Sequence, residues 1–105
     1  MICITRHNAT AVTVEGHACA DDYGKDLVCA AVSALVLTLE ANLKRMHRKG
    51  QLCSVMVHLE PGKARLRCRP GKEYRSAAAE VFGTVCVGFE LLAKKYPQNV
   101  QYQQV

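Results

Sequence analysis

The sequence contains no tryptophan, only three prolines and 6% aromatic residues. Few aromatic side chains leave little surface on which nucleic-acid bases could stack. The longest apolar run, from Leu27 to Leu39, is interrupted by Ser33 and Thr38 and stops well short of the roughly twenty residues of a membrane span. The N-terminus also lacks the basic, apolar and small-residue segments of a secretion signal. We therefore expect a cytoplasmic protein that does not enter the membrane.

The cysteines lack the spacing of a metal site. There are six of them, with no C-x-x-C pair, so we expect no metal, and we expect no other cofactor in a chain this short. Four lie in predicted strands or a predicted helix: Cys3, Cys53, Cys68 and Cys86. In a reducing compartment such cysteines are typically small buried apolar residues. Cys19 and Cys29 remain as candidates for chemistry.

The chain length and the turn residues predict one small domain spanning 1–105. Alternating segments at 1–5 and 11–15 predict one hairpin, and those at 52–59 and 63–69 predict a second hairpin about the Pro61-Gly62 turn. Helices are expected from Asp26, as N-cap, to a stop at Gly50, and from 73 to 95. Segment 99–105 is a candidate edge strand. The order β-β-α-β-β-α predicts an α+β two-layer sandwich, with an antiparallel sheet and two helices on one face.

The first half of the first predicted helix is apolar on nearly every side, from Leu27 to Leu37. A helix at the surface of a monomer would show a polar face. We therefore expect a sheet to cover one side of this helix and a partner chain to cover the other, in a homodimer.

One pattern of residues carries candidate chemistry. Gly16-His17-Ala18 ends a predicted strand, and Cys29 follows in the predicted first turn of a helix. Unpaired backbone N–H groups and the helix dipole favour a thiolate there, and His17 as an imidazolium would favour it further. The thiolate could attack a carbonyl carbon, His17 could protonate the leaving amine, and nearby N–H groups could stabilise the oxyanion. Asp26 is placed to cap the helix or orient His17, and Ser33 lies one turn beyond Cys29.

Each of these residues also has an ordinary structural explanation. A helical cysteine is usually buried, a histidine after a strand usually lies at the surface, and Asp26 could act only as a cap. Taken singly, the residues favour those structural roles over a Cys–His hydrolase. These structural roles do not explain the spacing of the residues as a set.

The same residues carry a resemblance to a known family. Gly-His-Ala, followed twelve residues after the histidine by the cysteine of Asp-x-x-Cys-Ala-Ala-Val-Ser, resembles the ribosomal-processing cysteine protease (Prp) family. The resemblance implies a homodimeric, cofactor-independent endopeptidase that removes the N-terminal extension of large-subunit ribosomal protein twenty-seven. It makes Cys29 the nucleophile and His17 its partner. Gly16, Asp26 and Ser33 become supporting positions, and the loop before Asp26 becomes a mobile cover.

The basic charge balance supports a rival interpretation. The net charge is +5, and Arg65, Arg67 and Arg69 alternate along one predicted strand, where they would share a face. A second basic cluster, 44–49, ends the first predicted helix. The protein could instead be a ribosome- or RNA-associated binding module. A thiol redox protein using Cys19 and Cys29 is less well supported, because their separation matches no redox motif.

Overall fold

The computed structural model describes residues 1–16 and 23–105, with side chains from Leu27 onward in the second range. The elements in chain order are β1 (Ile2–Asn8), β2 (Ala11–Glu15), α1 (Tyr23–Arg48), β3 (Leu52–Glu60), β4 (Lys63–Pro70), a 3-10 turn (Lys72–Tyr74), α2 (Arg75–Lys95) and β5 (Val100–Gln104). The predicted β-β-α-β-β-α order is confirmed, and the tail forms the fifth strand.

The strands form one sheet in the order β3-β4-β2-β1-β5. The pairs β1–β2, β2–β4 and β3–β4 are antiparallel, as predicted. In one respect the prediction was wrong: β5 runs parallel to β1, so the sheet is mixed. The reason lies in α2, whose 21 residues carry the chain back about 30 Å to the end where β4 began. Strand β5 therefore runs in the direction of β4, and β4 and β1 are both antiparallel to β2.

Strand alternation gives the sheet one buried face and one open face. The buried face packs against both helices through apolar side chains: Ile2, Ile4, Val12, Val14, Ala64, Leu66 and Val100. Helix α1 contributes a stripe at three- and four-residue steps: Val28, Val32, Val36, Leu39, Leu43 and Met46. Helix α2 contributes Ala78, Phe82, Val85, Cys86 and Phe89. The molecule is thus a two-layer α+β sandwich with both helices on one face, as predicted.

The two ends of α1 differ in how well the sequence predicts them. Gly50 adopts a φ of 75° and its N–H donates to the His47 carbonyl over 3.0 Å, so the predicted stop is confirmed. The start was predicted at Asp26, but α1 begins at Tyr23. Asp26 therefore lies inside the helix and is not its N-cap.

The prediction that four cysteines are buried was wrong for two of them. Cys86 is buried and Cys68 is half-buried, but Cys3 and Cys53 are exposed. Cys3 lies between the buried Ile2 and Ile4, so alternation turns its side chain to the open face. Cys53 occupies the irregularity in the β3–β4 register between Leu52 and Ser54.

Two helical segments, Leu27–Arg48 and Lys72–Lys95, are long and apolar enough to span a membrane, with mean hydropathies of 1.6 and 1.5. Length and composition alone are weak evidence for a span, since core helices share them. Both helices pack their buried stripes against the sheet, with fully buried side chains at Leu39 and Phe82. Core packing accounts for these buried stripes, which are part of the apolar composition, since 28% of the apolar window of each helix is buried.

Candidate active site

An open cavity of about 320 Å³ lies between the first half of α1 and the end of the sheet nearest the β3–β4 turn. The helix, the sheet and the β3–β4 turn all contribute to its walls, which are formed by Ile2, Val14, Gly16, Cys29, Val32, Ser33, Val36, Leu37, Leu59, Glu60, Gly62, Lys63 and Ala64. Most of these side chains are apolar. The cavity brings together three of the residues predicted for the site, namely Gly16, Cys29 and Ser33.

Helix α1 supplies both Cys29 and Ser33 to the cavity wall. The two residues are four apart and therefore share one helical face, one turn from each other. Val28 and Val32, which are buried, fix this part of the helix against the sheet. Cys29 is half-buried and packs against the core, while Ser33 is exposed. The Cys29 thiol is therefore accessible from the cavity, and the packing of α1 against the sheet fixes its position.

The backbone conformation, the close packing and one hydrogen bond define the position of Gly16. Its φ of 107° lies in a region that side-chain-bearing residues rarely adopt. A Cβ built on it would collide with the Met1 carbonyl oxygen. Its N–H donates to the Gly62 carbonyl over 2.9 Å, which ties the end of β2 to the β3–β4 turn. Only glycine fits this position, and the chain passes the cavity wall at the residue before His17.

The start of α1 changes the predicted environment of the thiol. Cys29 was expected in the first turn, but it is the seventh residue counted from Tyr23 and lies in the second turn. The helix N-terminal N–H groups without intrahelical partners belong to the first four residues, 23–26. Oxyanion donors from this helix end would therefore come from the turn preceding Cys29, because the N–H of Cys29 itself is used within the helix.

Among the described residues that line the cavity, the charged ones are at the rim formed by the β3–β4 turn. Glu60 and Lys63 are paired in the sheet register and both line the cavity. The Glu60 carboxylate also lies 3.2 Å from Nε2 of His58. Sequence reasoning missed this rim and the apolar wall residues Leu37 and Leu59. The hydrogen bond between Gly16 and Gly62 holds the β3–β4 turn beside the end of β2, at the cavity. No local sequence pattern predicts this bond.

Other predicted site residues fall outside what the structure describes. His17 and Cys19 lie outside the described residues, and so does the side chain of Asp26. Within residues 1–16 and 27–105, no three side chains of His, Cys, Asp or Glu come together in a way that could hold a metal ion.

A half-buried thiol on the wall of an open, mostly apolar cavity is the arrangement expected of a thiol-dependent enzyme site. The chain belongs to the cysteine protease Prp family, whose model matches residues 1–101. The family resemblance noted from the sequence is thereby confirmed, and the chain is a member of a family of cysteine proteases.

Solved structures share the fold. The essential ribosomal processing protease Prp from S. aureus in complex with a substrate peptide is 19% identical with a TM-score of 0.71, covering 99% of this chain and 97% of that chain. The same protease with a covalently linked product peptide is 21% identical with a TM-score of 0.69 and the same coverage. SMU.848 from Streptococcus mutans is 23% identical with a TM-score of 0.69, covering 99% and 91%. A comparison with curated proteins found no match.

Proposed function

We propose that this protein is a cysteine endopeptidase that removes the N-terminal extension of large-subunit ribosomal protein twenty-seven and so supports ribosome assembly. The observation that carries the proposal is the position of Cys29 on the cavity wall in a chain of the cysteine protease Prp family. The substrate follows from the family resemblance and from the ribosomal processing named for the S. aureus protein of the same fold.

The proposed reaction uses Cys29 and His17 as a dyad. The Cys29 thiolate attacks the scissile carbonyl carbon and forms a tetrahedral oxyanion. As the C–N bond breaks, the His17 imidazolium gives its proton to the leaving amine, and a thioester to Cys29 remains. Water then attacks the thioester, His17 takes the proton from that water, and the Cys29 thiolate is released with the carboxylate product.

The position of Gly16 supports His17 as the partner. Gly16 lines the same cavity as Cys29, and His17 is the next residue in the chain. The hydrogen bond to Gly62 and the close approach to the Met1 carbonyl oxygen hold the backbone at that point. Ser33 and Asp26 take supporting roles. Ser33 contributes a hydroxyl one turn along the same wall, and Asp26 belongs to the first turn of α1.

The cavity suits a peptide with an apolar side chain near the cleaved bond. Its walls include Val36, Leu37 and Leu59, so an apolar substrate group would be removed from water there. Glu60 and Lys63 at the rim are placed to meet polar parts of an extended chain. The cavity is open enough for a peptide to enter from the side.

The proposal includes a homodimer in the cytoplasm. Helix α1 exposes Leu27 and Leu37, at 51% and 53% of their full surface. Exposed large apolar residues on one helix favour a partner chain. Leu37 also lines the cavity, so a second copy covering this face would lie beside the substrate.

A comparison of four variants tests the dyad. We expect His17→Ala and Cys29→Ala each to lower the cleavage rate at least about a thousandfold, since neither residue works without the other. His47→Ala and Cys53→Ser are the matched controls, because both side chains are exposed and neither lines the cavity. The controls should cleave at the wild-type rate. Full activity of His17→Ala would exclude the dyad while leaving Cys29 as a possible nucleophile.

A further inference from the structure

Three arginines form a row on the open face of the sheet. Arg65, Arg67 and Arg69 are exposed, and they alternate with Ala64 and Leu66, which are buried on the helix side. Alternate residues of a strand lie roughly 6.7 Å apart on one face. The row therefore presents three cations at regular intervals, as successive phosphates of a nucleic-acid strand present anions.

Among the described strands, no carboxylate is paired in register with any of the three arginines. Arg65 is paired in register with His58 on one side and Thr13 on the other, and Arg67 with Met56 and Ala11. Among the described side chains, none of the three arginines takes part in a salt bridge. Glu15 and Glu60 pair with Lys63, two residues before Arg65, and the Glu60 carboxylate lies 3.2 Å from Nε2 of His58. Three unpaired cations in a row are a binding surface for a polyanion.

The open face of the sheet also contains depressions in which a nucleic-acid strand could lie. Two adjacent depressions, of about 310 and 340 Å³, share Met56 and Arg67 in their walls. Arg65 and His7 line the first depression, and Arg69 lines the second. His7 Nε2 lies 2.9 Å from Oγ1 of Thr13, so the imidazole is held on this face. The cations thus border two consecutive recesses rather than project from a flat surface.

The row leads toward a basic end of the molecule. Pro70, which follows Arg69, pairs with Leu52 at the start of β3, and the Gly71 N–H donates to the Gln51 carbonyl over 2.9 Å. Helix α1 ends just before this point, and its exposed final residues include Arg48, followed by Lys49. The basic surface therefore extends beyond the sheet.

We propose that the open sheet face, defined by Arg65, Arg67 and Arg69, binds RNA through its phosphates. The described strand residues on this face include no Phe, Tyr or Trp, so extensive base stacking and base-specific recognition are not built into it. The binding is accordingly independent of sequence and weakens steeply with salt. The surface lies on the opposite side of the sheet from Cys29, so RNA and a peptide substrate can be bound together. This proposal does not depend on the proteolytic function.

Titration of a labelled RNA tests the surface. The full-length protein is added to a fluorescein-labelled, mixed-sequence single-stranded RNA of about 20 nucleotides, and anisotropy is followed from low to high salt. The variant is Arg65→Gln/Arg67→Gln, and Lys94→Gln/Lys95→Gln removes the same charge from the end of α2. Arg65→Lys/Arg67→Lys keeps the charge of the row. Circular dichroism and the thermal midpoint establish that each variant is folded.

We expect wild type to bind and Arg65→Gln/Arg67→Gln to reduce the magnitude of the salt slope by about 1.4, or about 0.7 for each lost phosphate contact. That change corresponds to about 25-fold weaker binding at 0.1 M salt if the two proteins bind equally at 1 M. Lys94→Gln/Lys95→Gln should bind like wild type, and Arg65→Lys/Arg67→Lys should keep the wild-type slope.

Three results would overturn the proposal. Wild type that does not bind RNA at low salt excludes it. Equal loss of affinity in the sheet and α2 variants would show attraction by net charge alone. Binding to anionic vesicles or an acidic peptide but not to RNA would assign the face to another partner. Peptide cleavage measured on the same proteins is expected to be unaffected by the sheet variants, so failure here is distinct from failure of the protease proposal.

Discussion

The backbone N–H of Gly16 donates a hydrogen bond to the carbonyl oxygen of Gly62 over 2.9 Å. This bond joins the end of β2 to the β3–β4 turn, and both glycines line the cavity that contains Cys29. Both also adopt a positive φ, of 107° and 77°. The chain is therefore anchored by this hydrogen bond, between two glycine positions, at the residue that immediately precedes His17.

Replacement of Gly16 by alanine should disturb both stability and cleavage. The added Cβ collides with the Met1 carbonyl oxygen, and the φ strain alone costs about 1–3 kcal/mol. We expect Gly16→Ala to lower the free energy of unfolding by at least that amount. Cleavage should fall at least about tenfold even where the variant is folded, because the chain before His17 must shift. Urea unfolding and peptide cleavage measure the two effects.

Gly50→Ala is the matched control for Gly16→Ala. Gly50 has a φ of 75°, but a Cβ there meets nothing within 4 Å, and it lies at the end of α1 far along the chain from the site. Its loss should cost about 1 kcal/mol of stability and leave cleavage at the wild-type rate. Equal losses of cleavage in the two variants would mean that the position of Gly16 has no specific bearing on the site.

Local patterns predicted most of the fold. Alternation about Pro61-Gly62 located the second hairpin, and Gly50 marked the end of α1, because both turns need residues with special φ values. The direction of β5 could not be predicted in this way. The direction of β5 depends on the end of the sheet at which α2 terminates, and this is set by the arrangement of the whole sheet. The exposure of Cys3 and Cys53 likewise depends on which face the helices cover and on a register irregularity.

The sequence predicted candidate residues for the site but not the geometry of the cavity. The spacing of His17 and Cys29 indicated that they could act as a pair, and Cys29 lines a cavity. The second-turn position of Cys29 was missed, because Tyr23, Gly24 and Lys25 carry no helix signal while Asp26 is a good N-cap type. The cavity itself needs the contact between Gly16 and the β3–β4 turn, which are far apart in the sequence.

The contact between the helices predicts a coupled pair of mutations. A Cβ on Gly88 of α2 would lie 2.9 Å from Cδ1 and 3.0 Å from Cδ2 of Leu35 in α1. Gly88→Ala gains about 1 kcal/mol of helix propensity, and displacement of the Leu35 methyl groups, the far end of a flexible side chain, offsets part or all of that gain. We expect Gly88→Ala to stabilise the protein less in wild type than when Leu35→Ala is also present, where the gain should be about 0.5–1 kcal/mol.

A double-mutant cycle by urea unfolding measures this coupling. The single variants Gly88→Ala and Leu35→Ala are compared with the double variant in the same buffer. An identical effect of Gly88→Ala in both backgrounds would show that Leu35 does not restrict the space at Gly88.

The thiols should differ in reactivity with iodoacetamide at pH 8. Burial raises the pKa of the Cys86 thiol, a shift opposed in part by a hydrogen bond with Tyr102, and burial also raises the pKa of Cys68. A raised pKa lowers the thiolate fraction at pH 8, and the thiolate is the reactive form. Among these four cysteines, the exposed Cys3 and Cys53 should label before Cys68, with Cys86 last.

Peptide mass spectrometry over a time course gives the labelling rate of each cysteine, and the protein unfolded in urea provides the reference in which all of them are accessible. The rate at Cys86 should rise toward that reference as the pH is raised or the protein unfolds. Labelling of Cys86 in the folded protein as fast as that of Cys53 would contradict the buried position of Cys86.

The most direct test of the proposed function is mass spectrometry of a synthetic peptide that spans the N-terminal extension of ribosomal protein twenty-seven from the same genome. The peptide is incubated with wild type and with Cys29→Ala. We expect wild type to cut one bond, at the end of the extension, and Cys29→Ala to leave the peptide intact. Cleavage by Cys29→Ala would contradict Cys29 as the nucleophile, and an uncut peptide with wild type would contradict the assigned substrate.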